Sequence, residues 1–476
     1  MPPPPAEPYA PESHTPVSHA SEPHPLGPPQ DIPAGSVDRG ATEALLRFIE
    51  RQDGTPLPSF DGADVSASGL GVHVQGAPWW DATLGGVRLG TRNLAGASLR
   101  RANLSGADLS GADLSDASCS GLVLHRVRLE EARLRGADLI GSVLTGVNAG
   151  EADFSETLLE DANLSGARLR FANFTDAVMD GADLSSADLW GAKLSGIAAE
   201  RTSFRGSRLD EAQLANADLG AADLTGATLR RANLAGAQLR GANLREAVLD
   251  GADLDGADLS GAVLPHVSLI SCNLRHVRFA GAWLERTRMR AHQLGGAIGE
   301  EAAGELEAAR EGYIVLEQNF RTLGSADDAS WAFRRRRRMG KRLHAQLAVA
   351  ALRRRSLGAV MPGLRWLGDV VAEWLCDYGE SVTRVLRAFL VVLFCFAAVY
   401  WLTGCLEPRE GVATGTGFRL VDYLLFSLDS MTTVGTSEVG VKPSGQLGVL
   451  LSSVQTVMGT VLLGLFGFVL GVRMRN

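Results

Sequence analysis

The sequence predicts a multidomain protein of β and α structure: a repetitive β-solenoid, a helical connector, and a unit of two membrane-spanning helices. Three observations predict this architecture. Apolar residues recur at every fifth position from Leu84 to Leu294. Two long apolar runs, Ala388–Leu406 and Leu447–Val472, occur only near the carboxyl end of the chain. The short segment Thr432–Thr436 lies between those two runs.

The composition is segregated along the 476 residues, which predicts several domains, so the net charge of −8 describes no single surface. The first 35 residues contain 12 of the 19 prolines, and residues 1–60 contain few large apolar side chains, which predicts a disordered tail over residues 1–60. No signal peptide precedes this tail, so we expect it to stay in the cytoplasm. The five cysteines are far apart and indicate neither a disulfide framework nor a metal site. No catalytic set or phosphate-binding loop points to an enzyme.

Residues 61–295 are assigned to the solenoid. Leucine occupies the repeating position at Leu94, Leu99 and Leu104, and an alanine such as Ala102 usually stands two residues before it. On an α-helix, five steps of about 100° would scatter these leucines around the axis. On a flat strand, an odd spacing would place them on alternate faces. The period therefore predicts that the chain turns a corner in every repeat and points each leucine into a shared interior.

This motif, alanine then Asp or Asn then leucine, resembles the pentapeptide-repeat family. The resemblance implies a right-handed quadrilateral β-helix with one repeat on each side. About 43 repeats would make about 11 coils, and a strand spacing of ~4.8 Å gives a rod about 50 Å long. Some family members mimic DNA and bind topoisomerases through an acidic surface. Here residues 81–290 carry 27 acidic and 23 basic side chains, so we expect no nucleic-acid mimicry and instead an unidentified cytoplasmic protein as partner of the rod.

Residues 296–386 are interpreted as a helical, basic connector that precedes the membrane. From Arg334 to Gly368 there are 11 basic residues and no acidic one. Such a run is found in nucleic-acid patches and beside membranes, and its position close to an apolar span favours contact with anionic lipids over nucleic acid. The candidate lipid-contact residues are Arg334, Arg335, Arg336, Arg337, Arg338, Arg353, Arg354 and Arg355.

Residues 387–476 are interpreted as the membrane unit. At 1.5 Å per residue, the run Ala388–Leu406 is about 29 Å long, which matches a hydrocarbon core of ~30 Å. Basic residues flank both spans and place both chain ends in the cytoplasm of a cell bounded by an inner (plasma) membrane. Between the spans, Phe418–Met431 predicts a short helix that re-enters the membrane. Its predicted packing face consists of Leu420, Leu424, Leu425, Leu428 and Met431.

The segment after this helix resembles the selectivity filter of potassium channels, whose pattern is acid-x-x-T-T-V-G-Y-G-D. The resemblance implies a homotetrameric, two-span pore that conducts K⁺. It implies the filter residues Thr432, Thr433, Val434, Gly435 and Thr436, supported by Asp429, Ser437 and Glu438. Parts of the connector, including Gln318–Phe320, also resemble bacterial pentapeptide-repeat channels. No cofactor other than the permeant cation, and no metal site outside the pore, is expected.

Two departures from the filter pattern leave the ion selectivity open. Thr436 stands where the family has an aromatic residue, and Ser437 stands where it has a second glycine. We therefore expect the two inner cation sites to persist and the outer sites to be wide or absent, so a non-selective cation channel is the first alternative. A membrane-tethered interaction protein is the second. In the last span, Gly459 is a candidate gating hinge, although close helix packing explains most glycines there.

Overall fold

The computed structural model describes residues 84–87, 89, 93–354, 360–408, 420–432 and 441–475. After the solenoid, a 3-10 turn (Ala291–Leu294) leads into the helices α1 (Gly299–Ala302), α2 (Leu306–Thr322), α3 (Ala326–Arg353) and α4 (Val360–Cys376). A second 3-10 turn covers Asp377–Gly379. The last part contains α5 (Val382–Thr403), β1 (Leu406–Pro408), α6 (Leu420–Thr432), β2 (Val441–Pro443) and α7 (Gly445–Arg475). The disordered tail predicted for residues 1–60 lies outside the described residues.

The repeats form a solenoid in which each coil contains 20 residues. Parallel bridges join positions 20 apart, from Asn93 with Asp113 to Ser268 with Arg288. The ladder is made by backbone hydrogen bonds such as that from the Leu94 N–H to the Asp113 carbonyl, at 2.6 Å. Twenty residues correspond to four repeats, so the predicted four-sided β-helix is confirmed.

Two residues of each repeat point into the interior of the solenoid. Leu99 and Ala97 are both buried, and the same holds for the equivalent positions in the coils above them. Phenylalanine replaces leucine at two positions 20 residues apart, Phe154 and Phe174, and their rings stack with centroids 4.7 Å apart. The residue between the two interior positions of a repeat faces outward and is polar in most repeats, with exceptions such as Val123, Leu158 and Trp283.

Each corner of the solenoid is a four-residue turn. In one such turn the Ala97 N–H donates to the Leu94 carbonyl at 3.0 Å, and the third residue, Gly96, has a φ of 67°. Only glycine adopts this left-handed conformation without strain, whereas another residue pays about 1 kcal/mol. Arg101 (φ 54°) accepts this cost at the next corner. The frequent glycine of the motif is therefore set by the backbone of the corner.

Polar side chains of the connector cover the last coil of the solenoid. Oε1 of Glu300 accepts the N–H groups of Phe279 and Ala280, each at 2.7 Å. The side-chain amide of Asn319 accepts the Thr287 N–H at 3.1 Å and donates to the Thr287 carbonyl at 2.8 Å. An uncovered edge of β-structure invites pairing with another chain. These two side chains satisfy the backbone groups that would otherwise form such an edge.

The apolar core of the solenoid continues into the connector. Tyr313, Leu316 and Phe320 of α2 belong to the same buried cluster as the solenoid leucines, and the cluster extends to Met339 in α3. Solenoid, α2 and the first half of α3 therefore pack as one unit.

The helices α5 and α7 run antiparallel and are long and apolar enough to cross a membrane, judged by length and composition. At one end of the pair, Val385 of α5 packs with Val469 of α7. At the other end, β1 and β2 form an antiparallel ribbon in which Glu407 lies opposite Lys442. The sequence did not predict this ribbon.

The boundaries predicted for the first span are wrong by several residues, and local caps explain the difference. The helix starts at Val382 rather than Ala388, because the Ser381 side chain accepts the Arg384 N–H at 3.3 Å. It ends at Thr403 because Gly404 takes a left-handed conformation (φ 59°). Charged and polar residues in the first turn concealed this start in a search for apolar runs.

Candidate functional site

The short helix α6 enters between α5 and α7 from the ribbon end and stops at their mid-height. Near its start, Tyr423 belongs to the same buried cluster as Leu406 of β1. At its end, Met431 clusters with Leu393, which is at the middle of α5, and with Leu462 of α7. The helix predicted over Phe418–Met431 is observed as α6 (Leu420–Thr432), Phe418 lies outside the described residues, and re-entry into a membrane stays a prediction.

The carboxyl end of α6 carries negative electrostatic potential. Thr432 is its last residue, and the Thr432 hydroxyl donates to the Leu428 carbonyl at 2.9 Å. Asp429 is half-buried one turn from the end and adds its charge to the carbonyl end of the helix dipole. A cation is favoured at such a terminus. The remaining residues assigned to the filter and its support lie outside the described residues; they are Thr433, Val434, Gly435, Thr436, Ser437 and Glu438.

The face of α6 that packs within the chain differs from the prediction. Met431 is buried as expected, but the other buried residues are Tyr423, Phe426 and Ser427. The Phe426 ring packs edge-to-face on Tyr400, with centroids 5.2 Å apart. Most of the predicted leucine face is uncovered, namely Leu420, Leu425 and Leu428, while Leu424 is partly buried. Within one chain, α5 and α7 cover only the aromatic side of α6, and packing of the leucines against helices of other copies stays a prediction.

A buried polar bridge, which the sequence analysis did not identify, joins α5, α6 and α7. The Tyr400 hydroxyl of α5 donates to Oε1 of Gln455 in α7 at 2.8 Å. Nε2 of Gln455 donates to the Ser427 carbonyl and hydroxyl in α6, at 3.0 and 2.5 Å. The Ser427 hydroxyl in turn donates to the Leu393 carbonyl of α5 at 2.8 Å. A glutamine in the middle of an apolar run was the available signal, because buried polar groups require partners.

Gly459 of α7 lies directly against the end of α6. A Cβ atom at position 459 would stand 2.2 Å from the Met431 carbonyl oxygen and 2.6 Å from the Met431 Cα. The helices can approach this closely only because the residue is glycine. Gly464, Gly467 and Gly471 have open space around them within the chain. The hinge hypothesis for Gly459 stays a prediction, and the observed contact gives the residue a packing role.

The arginine run of α3 forms ion pairs within the chain on two sides. Toward the solenoid cap, Arg335 pairs with Glu301 at 2.9 Å, and Arg336 pairs with Glu317 at 3.2 Å. Toward the membrane unit, the pairs are Arg334 with Asp377 at 3.9 Å, Arg337 with Asp369 at 3.0 Å, and Arg338 with Glu373 at 3.2 Å. These ion pairs connect α3 to the helices next to the solenoid on one side and to α4 on the other.

The contact of these arginines with lipid stays a prediction, and the structure shows that five of them also have partners within the chain. Arg334–Arg338 are engaged by carboxylates, whereas Arg353 and Arg354 are exposed at the end of α3. Arg355 lies outside the described residues. Although burial opposes ionisation of Glu373, hydrogen bonds and charge from Lys341 and Arg338 hold its pKa below the ordinary value. The prediction treated the basic run alone, and the acidic partners are supplied by distant parts of the sequence.

Within the described residues, no group of three His, Cys, Asp or Glu side chains is arranged to hold a metal ion.

Comparison with known proteins identifies the solenoid. The family model "Pentapeptide repeats" matches stretches between residues 93 and 290. HetL is a pentapeptide repeat protein involved in heterocyst differentiation regulation from the cyanobacterium Nostoc sp. strain PCC 7120. It is 32% identical to the chain, which covers 87% of HetL; the match covers 44% of this chain with a TM-score of 0.22. The chain belongs to the pentapeptide-repeat family.

Other solved pentapeptide-repeat proteins are similar over shorter or more divergent stretches. One from the Arabidopsis thaliana thylakoid lumen is 29% identical, and the match covers 24% of this chain and 67% of that chain with a TM-score of 0.12. QnrB1, a plasmid-mediated fluoroquinolone resistance protein, is 18% identical in a trypsin-treated form, with coverage of 46% and 97% and a TM-score of 0.23. No curated protein matches the chain. The family match ends at residue 290, so α1–α7 lie beyond the pentapeptide-repeat domain.

Proposed function

We propose that the protein is a homotetrameric cation channel, conducting K⁺ through a pore formed by α5, α6, α7 and the segment after α6. The observation that carries the proposal is the end of α6 at mid-height between two membrane-length helices. Irregular backbone at membrane depth is tolerated only where it is buried in protein or lines water. In the proposal, the segment after Thr432 lines water.

The ends of the undescribed segment are compatible with such a path. Thr432 ends α6 at mid-height, and Val441 lies in β2 at the end of the helix pair. Half of the 22-residue α5 corresponds to about 16 Å. Nine steps of extended chain reach about 30 Å, so the segment has ample length to run back along a pore axis. Its carbonyls, with the Thr433 hydroxyl, would replace water around a dehydrated cation.

A tetramer is proposed because one chain cannot enclose a pore. Within the chain, α7 is mostly uncovered, because only 17% of its most apolar stretch is buried. The leucines of α6 that face away from α5 and α7 are exposed as well. Neighbouring copies would cover both surfaces, and lipid would cover the rest. In this arrangement the pentapeptide-repeat domain and both chain ends are cytoplasmic.

We propose that the pentapeptide-repeat domain regulates the channel through α3, the helix that connects this domain to α4. The domain is joined to α3 by a continuous apolar core, and α3 is joined to α4 by ion pairs. A partner that moves the rod would therefore move α4 and the base of α5. We assign this partner to the class of cytoplasmic proteins, as for a solenoid with an extended surface.

The test is cation flux from liposomes that contain the purified full-length chain. We expect K⁺ efflux, its reduction by Thr433→Ala, and no change with Thr403→Ala, which removes an exposed hydroxyl at the end of α5 that is bonded to the Val399 carbonyl. Equal rates for Na⁺ and K⁺ would make the protein a non-selective cation channel. Absence of any flux from folded, inserted protein would refute conduction and leave a membrane-tethered interaction protein.

A further inference from the structure

Helix α4 carries an apolar stripe that the described part of the chain leaves exposed. Its residues are spaced by four and three, so they share one face of the helix. They are Val360, Leu364, Leu367, Val371 and Trp374. Their exposure ranges from 44% at Trp374 to 59% at Leu364, which is high for side chains of this size. Trp366 beside the stripe is also exposed.

The opposite face of α4 is fixed to α3 by ion pairs. At 100° per residue, Asp369 lies 180° from Val360 on the helix. Asp369 pairs with Arg337 at 3.0 Å and with Nδ1 of His344 at 3.0 Å. Glu373 on the same face pairs with Arg338. The ion pairs hold α4 in one rotation, so the stripe points away from the rest of the chain.

The carboxyl end of α4 is anchored where the two long helices end. Cys376 packs with Val385 near the start of α5 and with Val469 near the end of α7. The Glu373 carbonyl accepts a hydrogen bond from Nη1 of Arg384 at 2.8 Å. The carboxyl end of the stripe, at Trp374, therefore lies near the start of α5 and the end of α7. In the proposed function, this is where both helices leave the hydrocarbon core of the membrane.

We propose that α4 lies in the membrane–water interface and buries this stripe against a phospholipid surface. An amphipathic helix with a broad apolar face and tryptophan at its edge is typical of interfacial binding. The stripe bears no charge, and its carboxyl end lies next to Cys376, which packs against the start of α5. The inference rests on the membrane insertion contained in the proposed function. It moves the main lipid contact from the arginines of α3 to the apolar side chains of α4.

The test uses the full-length chain in phosphatidylcholine liposomes, with a fluorescent label at single cysteines and lipids brominated in the upper acyl chain as quencher. Native Cys395 is exposed on α5 and reports on span insertion, while the other four cysteines are buried. In a Cys395→Ala background, labels are placed through Leu364→Cys and Val371→Cys. The control is Gln346→Cys, at an exposed position of α3.

We expect quenching through Leu364→Cys and Val371→Cys to be at least as strong as at Cys395, because bromine in the upper acyl chain lies at the depth of an interfacial helix whereas Cys395 is near the middle of α5. Quenching through Gln346→Cys should stay near zero. Quenching at Cys395 without quenching at the two stripe positions would overturn the inference and leave the proposed channel intact. That result would also show that another protein surface or water covers the stripe. No quenching at Cys395 would refute membrane insertion, and the inference would fail with it.

Discussion

Replacing Gln455 with leucine breaks the polar bridge that holds α6 between the two long helices. The substitution replaces the glutamine amide with an apolar side chain of similar size. It therefore removes hydrogen bonds with little loss of volume. It removes the acceptor for the Tyr400 hydroxyl and two bonds to Ser427. The Tyr400 hydroxyl is then buried without a partner, while the Ser427 hydroxyl keeps its bond to the Leu393 carbonyl.

The magnitude follows from the number of bonds lost. Hydrogen bonds between membrane helices contribute on average about 0.6 kcal/mol, which gives roughly 2 kcal/mol for three bonds. A buried hydroxyl without a partner adds about 1 kcal/mol or more. We therefore expect Gln455→Leu to destabilise the membrane unit by about 2–3 kcal/mol.

The assay is equilibrium unfolding of the full-length chain in mixed micelles, followed by tryptophan fluorescence, together with liposome K⁺ flux. The double variant Gln455→Leu with Tyr400→Phe removes the unpartnered hydroxyl, so it should lose less stability than the sum of the two single variants. Ser453→Ala is the matched control, because the Ser453 hydroxyl is exposed and bonds only to the Val449 carbonyl of its own helix. Wild-type stability of Gln455→Leu, or strict additivity in the double variant, would refute the bridge.

Three further predictions concern the cap, the ionic joint and the helix contact. Asn319→Leu should destabilise the last coil of the solenoid by about 2–4 kcal/mol, because two backbone groups lose their partners. Hydrogen exchange in that coil should rise. The control Gln318→Leu, on the exposed face of the same helix, should leave hydrogen exchange in the coil unchanged. Because its folded pKa is lowered, Glu373 stabilises the joint between α3 and α4 above its unfolded pKa of about 4.3, and this contribution is lost as the pH falls through the folded value. The hydrogen-exchange protection factors of α4, which are corrected for the intrinsic pH dependence of exchange, should therefore fall below that pH in the wild type but not in Glu373→Gln. An equal pH dependence of the protection factors in both would contradict the joint. Gly459→Ala should lower the free energy of unfolding by about 1–3 kcal/mol, because the added methyl group overlaps with the end of α6. Gly464→Ala should leave the packing within the chain unchanged. An unaltered free energy of unfolding in Gly459→Ala would rule out the contact.

The solenoid could be predicted from the sequence because its rule is local. A leucine at every fifth position requires a corner in every repeat, and the 20-residue coil confirms it. The short helix was located for a similar reason, since an apolar segment between two spans has few alternatives. It ends at Thr432, one residue beyond the predicted Met431 and at the first residue assigned to the filter.

Features that depend on distant partners could not be predicted. The arginine run was interpreted without knowing that Glu301, Asp369 and Glu373 would come to face it. The packing face of α6 was assigned to leucines because hydrophobicity alone does not show which side the two long helices cover. Gln455 was overlooked for the same reason, since a single polar residue in an apolar run gains meaning only through its partners on other helices.

The most direct test of the central claim is the reversal potential of currents through the full-length chain in a planar bilayer under a KCl gradient. The account predicts a reversal potential near the K⁺ equilibrium value and a changed unitary conductance in Thr433→Ala but not in Thr403→Ala. Currents that reverse near the Cl⁻ equilibrium value, or a unitary conductance insensitive to Thr433→Ala, would contradict it.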